Sequence, residues 1–114
     1  GKLGEQLTAC QFIRKGHKIL ETNYNVPTVG AIDIISRNES MMVFTEVQTQ
    51  TAVHGWGEAR SQIDENKRDR IMNAVQHYMK THELDCDIRF DMGEVMLGKG
   101  KPEIRILKEV FSVY

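Results

Sequence analysis

Asp33 lies in the run Gly30-Ala31-Ile32-Asp33-Ile34-Ile35, and Glu46 follows thirteen positions later in Val43-Phe44-Thr45-Glu46-Val47-Gln48. Each carboxylate interrupts a short apolar segment, where an unpaired charge is costly to place. Two facing carboxylates repel unless they share a proton, are flanked by cations, or hold a hard divalent ion between their oxygens. Mg2+ or Mn2+ suits such donors. The alternative is that one carboxylate is exposed at a strand end and a bulge displaces the register.

For the pair to meet, two strands must bring it together. Residues 31–36 and 41–49 have the β-branched and apolar content of strands, and Arg37-Asn38-Glu39-Ser40 between them is polar and turn-like. A two-residue loop at Glu39 and Ser40 makes a hairpin with Asp33 opposite Glu46, their Cβ atoms about 4.5–5.5 Å apart. The same register sets Ala31 opposite Gln48.

Upstream, Leu3, Leu7 and Cys10, with Ala9, Phe12 and Ile13 alongside, predict the buried stripe of a helix over residues 2–15, closed by Gly16. Glu5 falls at the edge of that face. It reads either as a first-turn acid favoured by the helix dipole or as a group aimed at the sheet. Residues 17–24 predict a first strand, and 25–30 a connection punctuated by Pro27 and Gly30.

After the hairpin, a loop places Trp56 between two glycines. The ring could stack on a nucleobase, a contact worth about 1–3 kcal/mol, or pack over the core edge. Ala59, Ile63, Ile71, Ala74, Val75, Tyr78 and Met79 predict an amphipathic helix over residues 58–81, with Lys67 and Arg70 on its polar side. Strand segments at 87–92 and 94–97, broken near Gly93, a turn at 98–102 and a last strand at 103–107 complete the order αβββαββ. That order fits an α/β fold, a mixed sheet flanked by helices, in one domain over residues 1–114.

The net charge of −1 draws against a nucleic-acid partner, but concentration of cations matters more than their total. Basic residues cluster at Arg14, Lys15 and Lys18, at Lys67, Arg68 and Arg70, and at Lys99, Lys101, Arg105 and Lys108. Each group either lines one face or is ordinary solvated surface, the middle one neutralised by Asp64, Glu65 and Asp69. Cys10 and Cys86 stand apart with no histidine at zinc-ligand spacing, and read as buried small apolar residues. His77 and His82 are off the spacing for a shared metal and read as surface residues. No apolar run reaches the ~18 residues of a membrane span. The chain opens Gly-Lys-Leu-Gly-Glu, without an initiator methionine or the apolar core of a signal peptide. It reads as a trimmed chain whose default location is the cytoplasm.

Taken end to end, the chain resembles the YraN-like bacterial family of the PD-(D/E)xK nuclease superfamily, akin to archaeal Holliday-junction resolvases. The matching pieces are Gly4-Glu5 with Ala9, Gly16 to Leu20 with Asn23, Gly30 with Ile32 to Ile35, and Val43 to Val47. Gly57-Glu58-Ala59, Lys67 with Arg70, Arg89-Phe90-Asp91 and the stretch from Ile104 to Phe111 continue the series. Their order and spacing carry the resemblance. It implies a restriction-endonuclease-like sheet and a metal-dependent endonuclease acting on nucleic acid, DNA ahead of RNA, with a homodimer by analogy. It also implies that Asp33 and Glu46 hold Mg2+ or Mn2+, with Glu5 as third ligand.

The departures fall in the motif itself. Ala31 stands where the family pattern has glutamate, Gln48 where it has the catalytic lysine, and Gln50 where arginine is common. Gln48 inherits the catalytic position without its charge; an amide can orient a water but supplies no full positive charge. Lys67 could reach back from the following helix, or could be an exposed helix lysine. Lys67, Arg68, Arg70 and Trp56 are the candidate nucleic-acid contacts. Three classes stay open: a nuclease for branched or single-stranded nucleic acid, a non-cleaving nucleic-acid binder, and a protein-interaction module on the same scaffold.

Overall fold

A computed structural model describes residues 2–51 and 63–110 of the 114-residue chain. Its elements are α1 (Lys2–Arg14), β1 (Lys18–Val26), β2 (Gly30–Asn38), β3 (Met41–Thr51), α2 (Glu65–Thr81), β4 (Ile88–Leu97) and β5 (Glu103–Leu107). This is the predicted order αβββαββ. The five strands form one mixed sheet in chain order. Neighbours are antiparallel except β3 and β4, which run parallel and are joined by the crossover that contains α2.

Apolar side chains on one sheet face, among them Ile35, Met42, Phe44 and Phe90, pack with Ile71, Ala74, Val75 and Tyr78 of α2. Ile34, Val47 and Val95 form the core of the other face, with Leu7 and Ala9 of α1 against it. The β2–β3 hairpin turns at Glu39 and Ser40 and pairs Ile34 with Thr45 and Ile35 with Phe44, the register the loop predicts.

α1 sits differently from its apolar pattern. Gly4, Thr8 and Phe12 are its buried residues, while Leu3 and Ile13 are more than half exposed and Cys10 is exposed. Close approach decides this. A Cβ on Gly4 would collide with Thr49 Oγ1, and one on Gly93 of β4 would lie 2.6 Å from the Thr8 methyl. The helix therefore seats Gly4 and Thr8, one turn apart, directly on the sheet. Thr8 answers its own burial by donating Oγ1–H to the Gly4 carbonyl at 2.8 Å. Gly93, predicted as a break, lies inside a continuous β4 for the same reason. Cys86 is half-buried rather than buried, whereas His77 and His82 are exposed as expected.

α2 begins at Glu65, later than the apolar periodicity suggests. Asp64, in extended backbone, caps it by accepting the Lys67 N–H at 2.8 Å. Ile63 belongs to no helix. Trp56, and the motif Gly57-Glu58-Ala59, lie outside the described residues.

Candidate active site at a fork in the sheet

The β2–β3 ladder stops at the pair Ile34–Thr45. Among the described residues, β2 runs on beyond it from Asp33 to Gly30 paired only with β1, and β3 runs on from Glu46 to Thr51 paired only with β4. The sheet forks, and Asp33 and Glu46 are the first residue on each prong. Across the fork Asp33 Oδ2 accepts the Val47 N–H at 2.8 Å, so a side chain takes the place of a ladder bond.

The prong also changes face at Asp33. Ile34 belongs to the core under α1, but both Ile32 and Ile35 belong to the core under α2, which a strictly alternating strand does not allow. β1 turns in step. Between the pairs Thr22–Ile34 and Tyr24–Ile32, Asn23 adopts a left-handed backbone with φ 54°. Asparagine is among the few residues that tolerate this conformation.

Three carboxyl groups converge there. Asp33 is hydrogen-bonding neighbour to both Glu5, from the first turn of α1, and Glu46, from β3. Burial raises the Glu46 pKa to about 8, with the hydrogen bond to Asp33 and its charge adding and Lys67 opposing. Burial likewise raises Glu5, with the Asp33 charge and hydrogen bond adding and Lys2 opposing. Lys67 Nζ lies 3.6 Å from Glu46 Oε2; the lysine is half-exposed and the glutamate mostly covered.

The sequence expectations divide here. Asp33, Glu46, Glu5 and Lys67 are brought together. Ala31 and Gln48 are not ladder partners, because the fork intervenes: Ala31 pairs with Asn25 of β1 and Gln48 stands beside Glu94 of β4. Gln48 follows Glu46 by two residues on β3 and so shares its face, half-buried. Arg68 and Arg70 are exposed on α2.

Sequence reasoning missed several supporting residues. A Cβ on Gly30 would collide with the Arg70 carbonyl, so this glycine lets the β2 prong lie against the backbone of α2. Glu94 is wholly buried and accepts from Gln50 Nε2 at 3.1 Å, while Gln50 Oε1 is buried without a hydrogen-bond partner among the described residues. A glutamate inside the apolar run of β4 was the legible signal for that contact. Asn66, Lys67 and Arg70 of α2 face Ala31 and Glu46 across a cleft of about 370 Å3 floored by Ile71.

Among the described residues, no three His, Cys, Asp or Glu side chains stand ready-arranged around a metal position. The donor chemistry nonetheless fits a hard divalent cation: oxygen ligands only, from Asp33, Glu46 and Glu5, with one Asp33 oxygen already engaged by Val47. Without a cation, the proton held by Glu46 relieves the same crowding.

Fold and site together define an α/β protein with a mixed sheet whose acidic side chains gather where two strands part. Residues 4–95 match the model of Uncharacterised protein family UPF0102, and the chain belongs to that family. This bears out the YraN-like resemblance. A UPF0102 protein of Alkaliphilus metalliredigens is 33% identical over 89% of this chain and 88% of the relative. One from Koribacter versatilis is 35% identical over 97% and 78%, and one from Syntrophus aciditrophicus 34% over 99% and 88%. No helix among the described residues is long and apolar enough to cross a membrane.

Proposed function

We propose that the chain is a metal-dependent phosphodiester hydrolase acting on nucleic acid, DNA ahead of RNA, with its centre at the fork. The observation that carries this reading is the meeting of Asp33 and Glu46 at the point where the β2–β3 ladder ends, with Glu5 arriving from the opposite helix. Asp33 and Glu46, with Glu5 as third donor, would hold Mg2+ or Mn2+. When bound, such an ion polarises a phosphoryl oxygen and lowers the pKa of water.

The chain's own residues supply the rest. The Val47 N–H fixes the Asp33 carboxylate by engaging Oδ2, leaving Oδ1 for a ligand. Lys67 and Arg70, from the first turns of α2, present cations to a phosphate in the cleft. Gln48, on the Glu46 face, orients a water through its amide, and Lys67 sets a cation 3.6 Å from Glu46. Glu46 must release its proton to act as a ligand, which sets hydrolysis to rise with pH.

A second reading has one specific observation in its favour. Position 48 is neutral, so charge on the leaving and equatorial oxygens is less well offset, and the same site would then bind nucleic acid without cutting it.

The deciding experiment is Mn2+-dependent cleavage of branched, single-stranded and duplex DNA by the unaltered chain, Glu46→Gln and Gln48→Lys. Slow cleavage of branched or single-stranded DNA, abolished by Glu46→Gln and accelerated by Gln48→Lys, is expected. Binding without cleavage by both the unaltered chain and Gln48→Lys would replace hydrolysis with the binding reading.

A further inference from the structure

The cleft between the β2 prong and α2 is larger than a phosphate requires. Its volume of about 370 Å3 lies within the range of small-ligand sites, roughly 300–1,000 Å3. Its chemistry is divided. Lys67 and Arg70, three residues apart on α2, and the Asn66 amide form a polar wall, while the exposed Ala31 methyl and the aliphatic stems of the two cations offer an apolar surface over the buried Ile71. Glu46 closes the end nearest the fork, its Oε2 lying 3.6 Å from Lys67 Nζ, and Arg70 adds a second cation one helical turn on.

Ala31 is what leaves this space open and uncharged. It is exposed at the mouth of the cleft, and the glutamate of the resembled pattern would place a carboxylate facing Lys67 and Arg70. A phosphate suits the cations, and a planar base suits the methyl and the stems beside it.

We infer that this cleft binds one nucleotide unit with its base unpaired, the 5′-phosphate between Lys67 and Arg70 and the base against the Ala31 methyl and the aliphatic stems beside it. The cleft adjoins Glu46, so this deepens the hydrolase reading. It makes the substrate a strand with an unstacked nucleotide beside the scissile phosphate, as at a branch or a single-stranded end. A base inside a continuous duplex must leave its stack to enter, at a cost in unstacking and unpairing.

The test is a metal-free titration, which keeps it separate from hydrolysis. Deoxyadenosine 5′-monophosphate, deoxyadenosine and inorganic phosphate are each titrated into the 15N-labelled full chain. The monophosphate is expected to shift the amides of Ala31, Asn66, Lys67, Arg70 and Ile71. It should bind about tenfold more tightly than either fragment, since it alone engages both walls. Ala31→Leu, at an exposed position, should fill the cleft and weaken the monophosphate about tenfold while leaving inorganic phosphate unchanged; Arg70→Met should weaken both.

Equal affinity for monophosphate and inorganic phosphate, or an Ala31→Leu chain that binds the monophosphate unchanged, would overturn the inference. Monophosphate binding at these residues in a chain that cleaves nothing with Mn2+ would support the cleft and remove only the hydrolase reading. Cleavage without monophosphate binding would do the reverse.

Discussion

Asp33 Oδ2 receives the backbone N–H of Val47 at 2.8 Å, one residue past the last ladder pair of β2 and β3. This carboxylate both ends the pairing of the two strands and holds the prongs at a fixed separation. Removing its acceptor leaves a buried strand N–H unpaired, at about 1–3 kcal/mol. Asp33→Ala should therefore lower unfolding free energy in urea by that amount. Asp33→Asn, which retains a carbonyl acceptor, should cost clearly less. Equal losses for the two variants would show that the Val47 contact does not hold the fork.

Glu46 provides a pH signature. Its folded pKa, about 8, lies above the ordinary 4.5, so the folded state holds the proton more tightly than the unfolded chain does. The stability this lends is fully present below about 4.5 and is lost as pH climbs to 8. Metal-free protein should thus lose thermal stability across that window, and Glu46→Gln should flatten the decline. Mn2+ affinity should rise through the same window and reach a plateau above 8, with proton release on binding at pH 7. Calorimetry in buffers of different ionisation enthalpy would read the proton; its absence at pH 7 would place the Glu46 carboxyl in its ionised form already.

Gly30 joins the site to the helix that supplies its cations. Because an added Cβ would meet the Arg70 carbonyl, a backbone atom with little freedom, Gly30→Ala should cost about 1–3 kcal/mol or more by overpacking. The prong and α2 would have to separate, so chemical-shift changes should spread to Asn66 and Arg70. A variant as stable as the parent, with shifts confined to residues 29–31, would mean that this approach is loose.

Lys67 and Arg70 should dominate the salt dependence of nucleic-acid binding. Replacing both with methionine should lower affinity about uniformly across sequences and reduce the slope of log K against log salt by about 1–2. The same change at Arg14 and Lys15, at the far end of α1, should leave the slope nearly unaltered. Equal effects from the two pairs would relocate the binding face.

Local rules in the sequence determined a large part of this protein. Strand composition and a two-residue polar loop set the β2–β3 register from Ile34 to Asn38, because a tight hairpin leaves pairing no other freedom. Gly16 closes α1 with φ 92°, as its position predicts. The carboxylates in apolar strands announced the site, since such charges need a reason to be there.

Tertiary packing decided what those rules could not reach. The hairpin register alone sets Ala31 against Gln48. The left-handed Asn23, the Asp33–Val47 contact and the approach of Gly30 to α2 open the strands before that pair can form. The apolar pattern of α1 points Leu3, Cys10 and Ile13 inward, yet the close approach permitted by Gly4 and Gly93 rotates them outward. Lys67 meets Glu46 because the Asp64 cap and the Ile71 face orient α2 over the fork. Each of these outcomes depends on steric fit between segments far apart in the chain. Residue type and spacing record that only as an unexplained glycine, asparagine or buried acid.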